Sequence, residues 1–160
     1  MDRLDELPFT LRTALRLYRW RRVSPIAWAR LAHPLAECRV AILSTAGMVA
    51  PGQPPFDAAV KGGDFSFRVI DRATPVATLI DTHRSHAYDH TGIAQDANLA
   101  FPLDRLGELA DGGRIGAVAP RHLSFMGSIT APTRLLRQTA PAAAELLVAD
   151  QVDVALLVPV

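Results

Sequence analysis

The 160 residues predict an α/β fold built on a parallel sheet, and three observations carry that prediction. Val40–Leu43 is a short apolar run closed by the small residues Ser44, Thr45, Ala46 and Gly47, as a central strand ending in a tight loop would be. Val152, Val154, Leu156, Leu157 and Val158 form a second such run at the end of the chain, apolar enough for a parallel strand covered on both faces. Between them the order is strand, long excursion, helix, strand, helix, strand, which right-handed crossovers turn into helices on both faces of one sheet. The expectation is a Rossmann-like, three-layer parallel sheet, incomplete at the C-terminus.

The first element is a helix. Leu7 to Arg22 carries Leu11, Leu15 and Tyr18 on one stripe, with Arg12, Arg16, Arg19, Arg21 and Arg22 between and beyond them. Residues 1–24 therefore read as a basic amphipathic helix that packs on the domain or a partner, with an acidic partner or membrane surface as the sharper alternative. A proline-containing connector (Ser24 to Pro34) leads into the Val40–Leu43 strand. APGQPPFD is a loop by its prolines. GGDFSFRVI alternates Phe65, Phe67 and Val69 with Ser66 and Arg68, the pattern of a half-buried strand behind a glycine turn.

DTHRSHAYDHTGIAQDANLAFP shows no sustained period and is expected to be a long surface loop, of the kind that usually has a function. PLDRLGELADGG is a short helix, with Leu103, Leu106 and Leu109 or Ala110 on one face and Gly112-Gly113 as its stop. RIGAVA suggests a strand and PRHLSFMGS a loop at its end. TAPAAAELLVADQ is a helix opened at Thr139 or Ala140 with Pro141 early inside.

Composition narrows the class. Hydrophobic content of 49% with 21% charged residues fits a globular domain, and a net charge of +1 argues against broad nucleic-acid binding. No window approaches the roughly 18 apolar residues of a membrane span, and MDRLDELPF has no secretory character, so a cytoplasmic location is expected. The single cysteine, Cys38, reads as an inert core or boundary thiol, and it leaves no internal disulfide or cysteine-based metal cluster.

The densest chemistry lies in Asp81-Thr-His83-Arg-Ser-His86-Ala-Tyr-Asp89-His90. Three imidazoles and two carboxylates suit general acid–base or substrate-binding work, because histidine titrates near neutrality. The same residues are donors that zinc or iron accept, and structural hydrogen bonding within the loop is the plain alternative. His122 is a second candidate because it follows a strand. No GxGxxG, phosphate-binding loop or nucleophile elbow is present.

Five segments, CRVAILSTAGMVAPGQPPFD, GGDFSFRVI, THRSHAYDH with QDANLAFPLDRLGEL, IGAVAPRHLSFMG, and TAPAAAELLVADQVDVALLVPV, run in the order found in one family. The chain resembles the glycine/sarcosine/betaine reductase selenoprotein B family, which includes the dithiol-dependent D-proline reductase subunit. The resemblance covers about residue 25 to the end. It implies that residues 25–160 are the N-terminal part of an α/β reductase domain, whose VDVALLVPV strand leads straight into the loop bearing a selenocysteine or cysteine nucleophile. A frame cut at a selenocysteine codon would end on LLVPV, so the chain is expected to stop just short of its attacking atom and to be inactive alone; a trimmed chain and a genuine short relative are the competing readings.

The resemblance further implies an amine substrate activated on a partner subunit, often through a pyruvoyl group, with a thiol or thioredoxin-like electron donor. It implies that His86 or His122 is the proton donor to the leaving amine. It also implies that His83, Asp89 and Asp96, with Ser44, Thr45 and Gly47 at the strand-end rim, line the substrate pocket. The chain itself is expected to hold no cofactor and no metal, and to form an oligomer. A non-catalytic, partner-binding subunit and a metal-dependent hydrolase using the histidine loop are the alternatives from other classes.

Overall fold

The computed structural model describes residues 8–18, 24–85 and 88–160. The chain divides into two compact units, Met1–Arg30 and Leu31–Val160. In the first, helix α1 (Phe9–Leu17) is amphipathic, as its spacing requires, with Thr13 Oγ1 donating back to the Phe9 carbonyl at 2.8 Å. Phe9, Leu17, Ile26 and Trp28 are exposed. Met1–Leu7 and Arg19–Val23, which complete the expected basic helix, lie outside the described residues.

The second unit is a mixed α/β fold around a mostly parallel sheet. A single 3-10 turn at Leu35–Glu37 leads through the fully buried Cys38 into β1 (Arg39–Ser44). Val40, Ala41 and Ile42 are all buried, because both faces of this strand are covered. Next come β2 (Met48–Val49), β3 (Phe67–Asp71) and β4 (Ile80–Asp81), with β2 and β4 forming a small antiparallel pair. Helices α2 (His90–Gln95) and α3 (Leu103–Asp111) follow, then β5 (Ala117–Val118), β6 (Arg121–Phe125), α4 (Ala140–Ala149) and β7 (Val154–Val158).

β1 is the centre of the sheet. β7 pairs in parallel along one edge of it, from Val40 opposite Val154 to Ser44 opposite Val158. β5 and β6 share the other edge: Val40 faces Val118 and Leu43 faces Leu123. From Val40 to Leu43 β1 advances three residues, while its neighbour advances five, so two residues bulge out around Pro120. The bulge leaves the Ile42 N–H without a ladder carbonyl, and His122 Nδ1 accepts it at 3.0 Å. β3 closes the far edge, antiparallel to β6.

One face of the sheet packs Val40, Ile42 and Ile70 against Phe101, Leu103 and Leu106 of the α3 layer. The other packs Leu123 and Phe125 against Ala143 of α4, with Leu146 and Leu147 beside it. α3 buries Leu103 and Leu106 and leaves Leu109 exposed, so its inward stripe is completed by the half-buried Ala110. It stops where Gly113 takes φ +66°, which glycine adopts without strain. α4 continues directly from a π-helical stretch at Leu135–Thr139, and Pro141 sits just after their junction, so the helix begins earlier than the expected Thr139 or Ala140.

Four sequence expectations need correction. PRHLSFMGS is not a loop: residues 121–125 are a strand between β1 and β3. RIGAVA contributes only Ala117 and Val118 to the ladder. The His/Asp excursion is not one long loop, since it contains β4, α2 and a 3-10 turn at Ala97–Leu99. In β3 the fully buried residue is Ile70, on the face opposite Phe67 and Val69, which pack toward α4. The terminal strand is present as expected, but it is an edge on which Leu157 is 67% exposed. Among the described residues no helix is long and apolar enough to cross a membrane.

Candidate functional site

Three strand ends meet at one end of the sheet. Thr45, just past β1, receives the Gly127 N–H on its carbonyl at 2.7 Å and donates its own N–H to the Val158 carbonyl at 3.0 Å. Its hydroxyl takes the Val160 N–H at 3.0 Å. Thr45, Gly127 and Val160 are thereby held together by backbone bonds and the Thr45 hydroxyl, and an apolar cleft of about 480 Å³ opens over them between Leu43, Phe125, Leu135 and Leu157.

His83 is brought to this end by Gly47, whose φ of +65° turns the chain after β1. A Cβ at Gly47 would stand 3.2 Å from the His83 backbone, so the close approach needs glycine. Thr82 anchors the same loop by donating both its N–H (3.2 Å) and its hydroxyl (2.6 Å) to the Gly47 carbonyl. The His83 N–H donates to Asp81 Oδ1 at 2.8 Å, and Ser85 N–H donates to His83 Nδ1 at 3.2 Å.

Because Nδ1 accepts, the ring hydrogen belongs on Nε2. That atom is buried and has no partner. It lies against Gly127: a Cβ there would be 2.8 Å from Nε2, 2.9 Å from the Thr45 carbonyl and 3.4 Å from the Val160 carbonyl. Burial holds the His83 pKa below its ordinary value, with the His90 and Arg84 charges adding to the effect against Asp81. The group facing the strand ends is thus a neutral N–H donor. Orphaned buried donors are rare, and this one stands beside Gly127 at the strand ends.

Behind His83 stands a row of rings. Tyr88 stacks on it at 4.5 Å, and His90 meets Tyr88 edge-on at 4.9 Å. The Tyr88 hydroxyl is also buried without a partner, and burial pushes its pKa up to about 12. His90 pairs with Asp81 at 2.5 Å and borders a second, more polar cleft of about 470 Å³ that Asp96, Asn98 and Asp104 also line.

Of the residues singled out from the sequence, Thr45, Gly47 and His83 come together. Ser44 is adjacent but buried, its hydroxyl donating to the Ala100 carbonyl at 2.7 Å and accepting the Ala46 N–H at 3.1 Å. Asp89 caps α2 by accepting the Gly92 N–H at 3.0 Å, and Asp96 caps the following 3-10 turn by accepting the Asn98 N–H at 2.9 Å. Those Asn98 contacts lower the Asp96 pKa. His86 lies outside the described residues.

His122 is within the sheet and fully buried, its ring edge-on to Phe101 at 6.2 Å. Burial pushes its pKa down to about 4, so at neutral pH it is an uncharged acceptor for Ile42. Gly127 and Tyr88 were not singled out from the sequence, and Asp81 and His90 only as members of the histidine-rich stretch, not as a pair. The flanking glycine of HLSFMG and the Asp-to-His spacing were the available signals. Among the described residues no three His, Cys, Asp or Glu side chains are grouped to hold a metal ion.

Comparison with known proteins adds the family. A family model described as glycine/sarcosine/betaine reductase selenoprotein B matches residues 1–159. A curated relative, the D-proline reductase subunit gamma of Acetoanaerobium sticklandii, is 33% identical over 133 residues, which is 83% of this chain and 53% of the relative. The chain therefore spans about half the length of that relative. No solved structure matches. On the strength of a match that runs through nearly every residue, the chain belongs to the glycine/sarcosine/betaine reductase selenoprotein B family.

Proposed function

We propose that this chain forms the N-terminal walls of the active site of a selenol- or thiol-dependent reductase subunit. The reaction is reductive cleavage of a C–N bond in an amino-acid-like amine of the glycine, sarcosine, betaine or D-proline kind. The observation that carries the reading is the buried, unpartnered Nε2–H of His83 beside the Thr45, Gly127 and Val160 strand ends, in a chain of this family. The similarity to a D-proline reductase subunit supports the same direction.

In this reading the attacking chalcogen is a selenocysteine or cysteine carried just beyond Val160. The chalcogenide attacks the α-carbon; a carbon–chalcogen bond forms, and the C–N bond breaks with its electron pair going to nitrogen, which takes a proton. A second thiolate then attacks the chalcogen, the electron pair returns to carbon with a proton, and the two chalcogens are left joined. A dithiol donor reduces them again. The neutral His83 N–H is suited to hydrogen-bond the chalcogenide or the substrate carboxylate without competing for its proton. We assign the proton-donor role to His86 in preference to His122, whose Nδ1 is engaged by Ile42. The amine would be activated by a pyruvoyl group on a partner subunit, and Asp89 and Asp96 are kept as rim residues whose carboxylates already cap their turns.

The test is to read the gene beyond codon 160 and to express the continuous frame with selenocysteine or cysteine, together with its partner subunit. Thiol-dependent C–N cleavage of one of the four substrates is expected, read as release of ammonia or an amine from glycine, sarcosine or betaine and as ring opening of D-proline. A folded, partnered protein with no redox-active selenium or sulfur and no such turnover would sink the proposal. A non-catalytic, partner-binding reading draws on the exposed Phe9, Leu17 and Trp28 of the first unit; a stable complex without turnover would favour it.

A further inference from the structure

The two ring nitrogens of His90 both face acceptors. Nδ1 lies 2.5 Å from Asp81 Oδ2, and Nε2 lies 3.1 Å from the Ser85 carbonyl. A carboxylate and a carbonyl offer only lone pairs, so both contacts are hydrogen bonds only when both nitrogens carry hydrogen. A neutral ring keeps its hydrogen on the carboxylate side and turns a lone pair toward the Ser85 oxygen.

The same two residues hold His83. Asp81 accepts the His83 N–H on its other oxygen, and the Ser85 N–H fixes His83 Nδ1 as an acceptor. We propose that doubly protonated His90 is a latch between Asp81 and Ser85, a positioning residue that sets the tautomer and seat of His83 through those two residues. Its meaning for catalysis rests on the reading of His83 given above; the latch itself is a property of this chain.

The surroundings favour the charged ring. The Asp81 carboxylate first, then the Ser85 carbonyl and the Asp89 charge, raise the His90 pKa against desolvation. Asp96 and Asp104 border the same cleft, Tyr88 presents an edge-on ring, and among the described residues the nearby titratable ring of His83 is kept neutral by burial. The His90 side chain is 45% exposed, so solvent sets its protonation, while His83 is sealed at 7%. A rise in pH through the His90 pKa therefore removes the His90 contact from the Ser85 carbonyl, which keeps the Tyr88 N–H at 3.2 Å, and loosens the Ser85 hold on the His83 ring.

The test is nitrogen NMR of the histidine side chains of the full 160-residue chain as pH rises, with the Ser85 amide followed in parallel. His90 should show both nitrogens protonated at pH 6.5, where free histidine is half neutral, and titrate above that value. The His83 ring and Ser85 amide signals should move with the same midpoint. Asp81→Asn should bring the His90 midpoint down by tenfold or more in proton affinity. His90→Gln should speed Ser85 amide exchange at least tenfold and abolish its pH dependence, while His90→Arg, with two donors and a permanent charge, restores slow exchange. A His90 midpoint at or below 6.5, or His83 and Ser85 signals that ignore it, overturns the latch. The wild-type titration decides even if a variant fails to fold, and it reads independently of reductase turnover.

Discussion

His122 makes stability depend steeply on acid, and the size of the effect follows from its position. The ring is fully buried, and its pKa is pushed down to about 4 from 6.5, chiefly by desolvation. The unfolded chain binds this proton as pH falls through 6.5, and the folded chain does not until pH 4. Native stability from this group is therefore complete above pH 6.5 and is lost as pH drops between the two values. Integrating over that window gives a loss of about 2 kcal/mol by pH 5 and about 3 kcal/mol by pH 4. His83 adds a loss in the same direction, and His90, with a raised pKa, opposes it.

The clean comparison is with His122→Asn, whose Oδ1 can take the Ile42 N–H in place of Nδ1 but cannot titrate. Urea unfolding from pH 7 to pH 4 should show the wild-type curve falling by about 3 kcal/mol relative to the variant. The variant starts lower at pH 7, because it leaves space beside Phe101. Parallel curves over the whole range would refute the assignment of a buried, uncharged ring.

The crowded face of Gly127 predicts that Gly127→Ala costs about 1–3 kcal/mol, since the Thr45 backbone cannot yield and His83 is held at Nδ1. The control is Gly107→Ala in α3, where nothing lies within 4 Å and a gain of about 0.4–1 kcal/mol is expected; thermal melts of equal sign for both would contradict the packing. Cys38 is fully buried, and its thiol pKa is raised by burial and by the Asp153 and Glu37 charges. Thiol reagents at neutral pH should label it only on unfolding, and rapid labelling of the native chain would be the contrary result. The unpaired side of β7, with Leu157 and Leu156 exposed, predicts concentration-dependent self-association that Leu157→Lys weakens, as sedimentation can measure; a monomer at all concentrations would oppose this.

The parts of the fold legible in the sequence are those where one signal dominates. β1 is a bare apolar run, α3 has a clean stripe with a glycine stop, and α4 is a run of Ala and Leu. β6 was hidden because His122 and Ser124 are polar yet buried, and because Pro120 reads as a loop when it marks a bulge. α2 was hidden because HTGIAQ is a single short helix with glycine and threonine, held by the Asp89 cap and by Ile93 in the core. The histidine-rich stretch was visible as chemistry, but not which ring would be sealed and which exposed. That choice depends on Gly47 and Gly127, whose missing side chains make room for His83.

The placement of β1 has a consequence for how the molecule comes into being. Its N–H at Arg39 bonds the Asp153 carboxylate, a partner 114 residues downstream, and the whole β1–β7 ladder spans a similar separation. A nascent chain leaving the ribosome has the central strand early but acquires β7 on one of its edges only after more than a hundred further residues have emerged. Closing so long a loop is slow, and during the wait the apolar flank of the central strand is a surface that chaperones would bind.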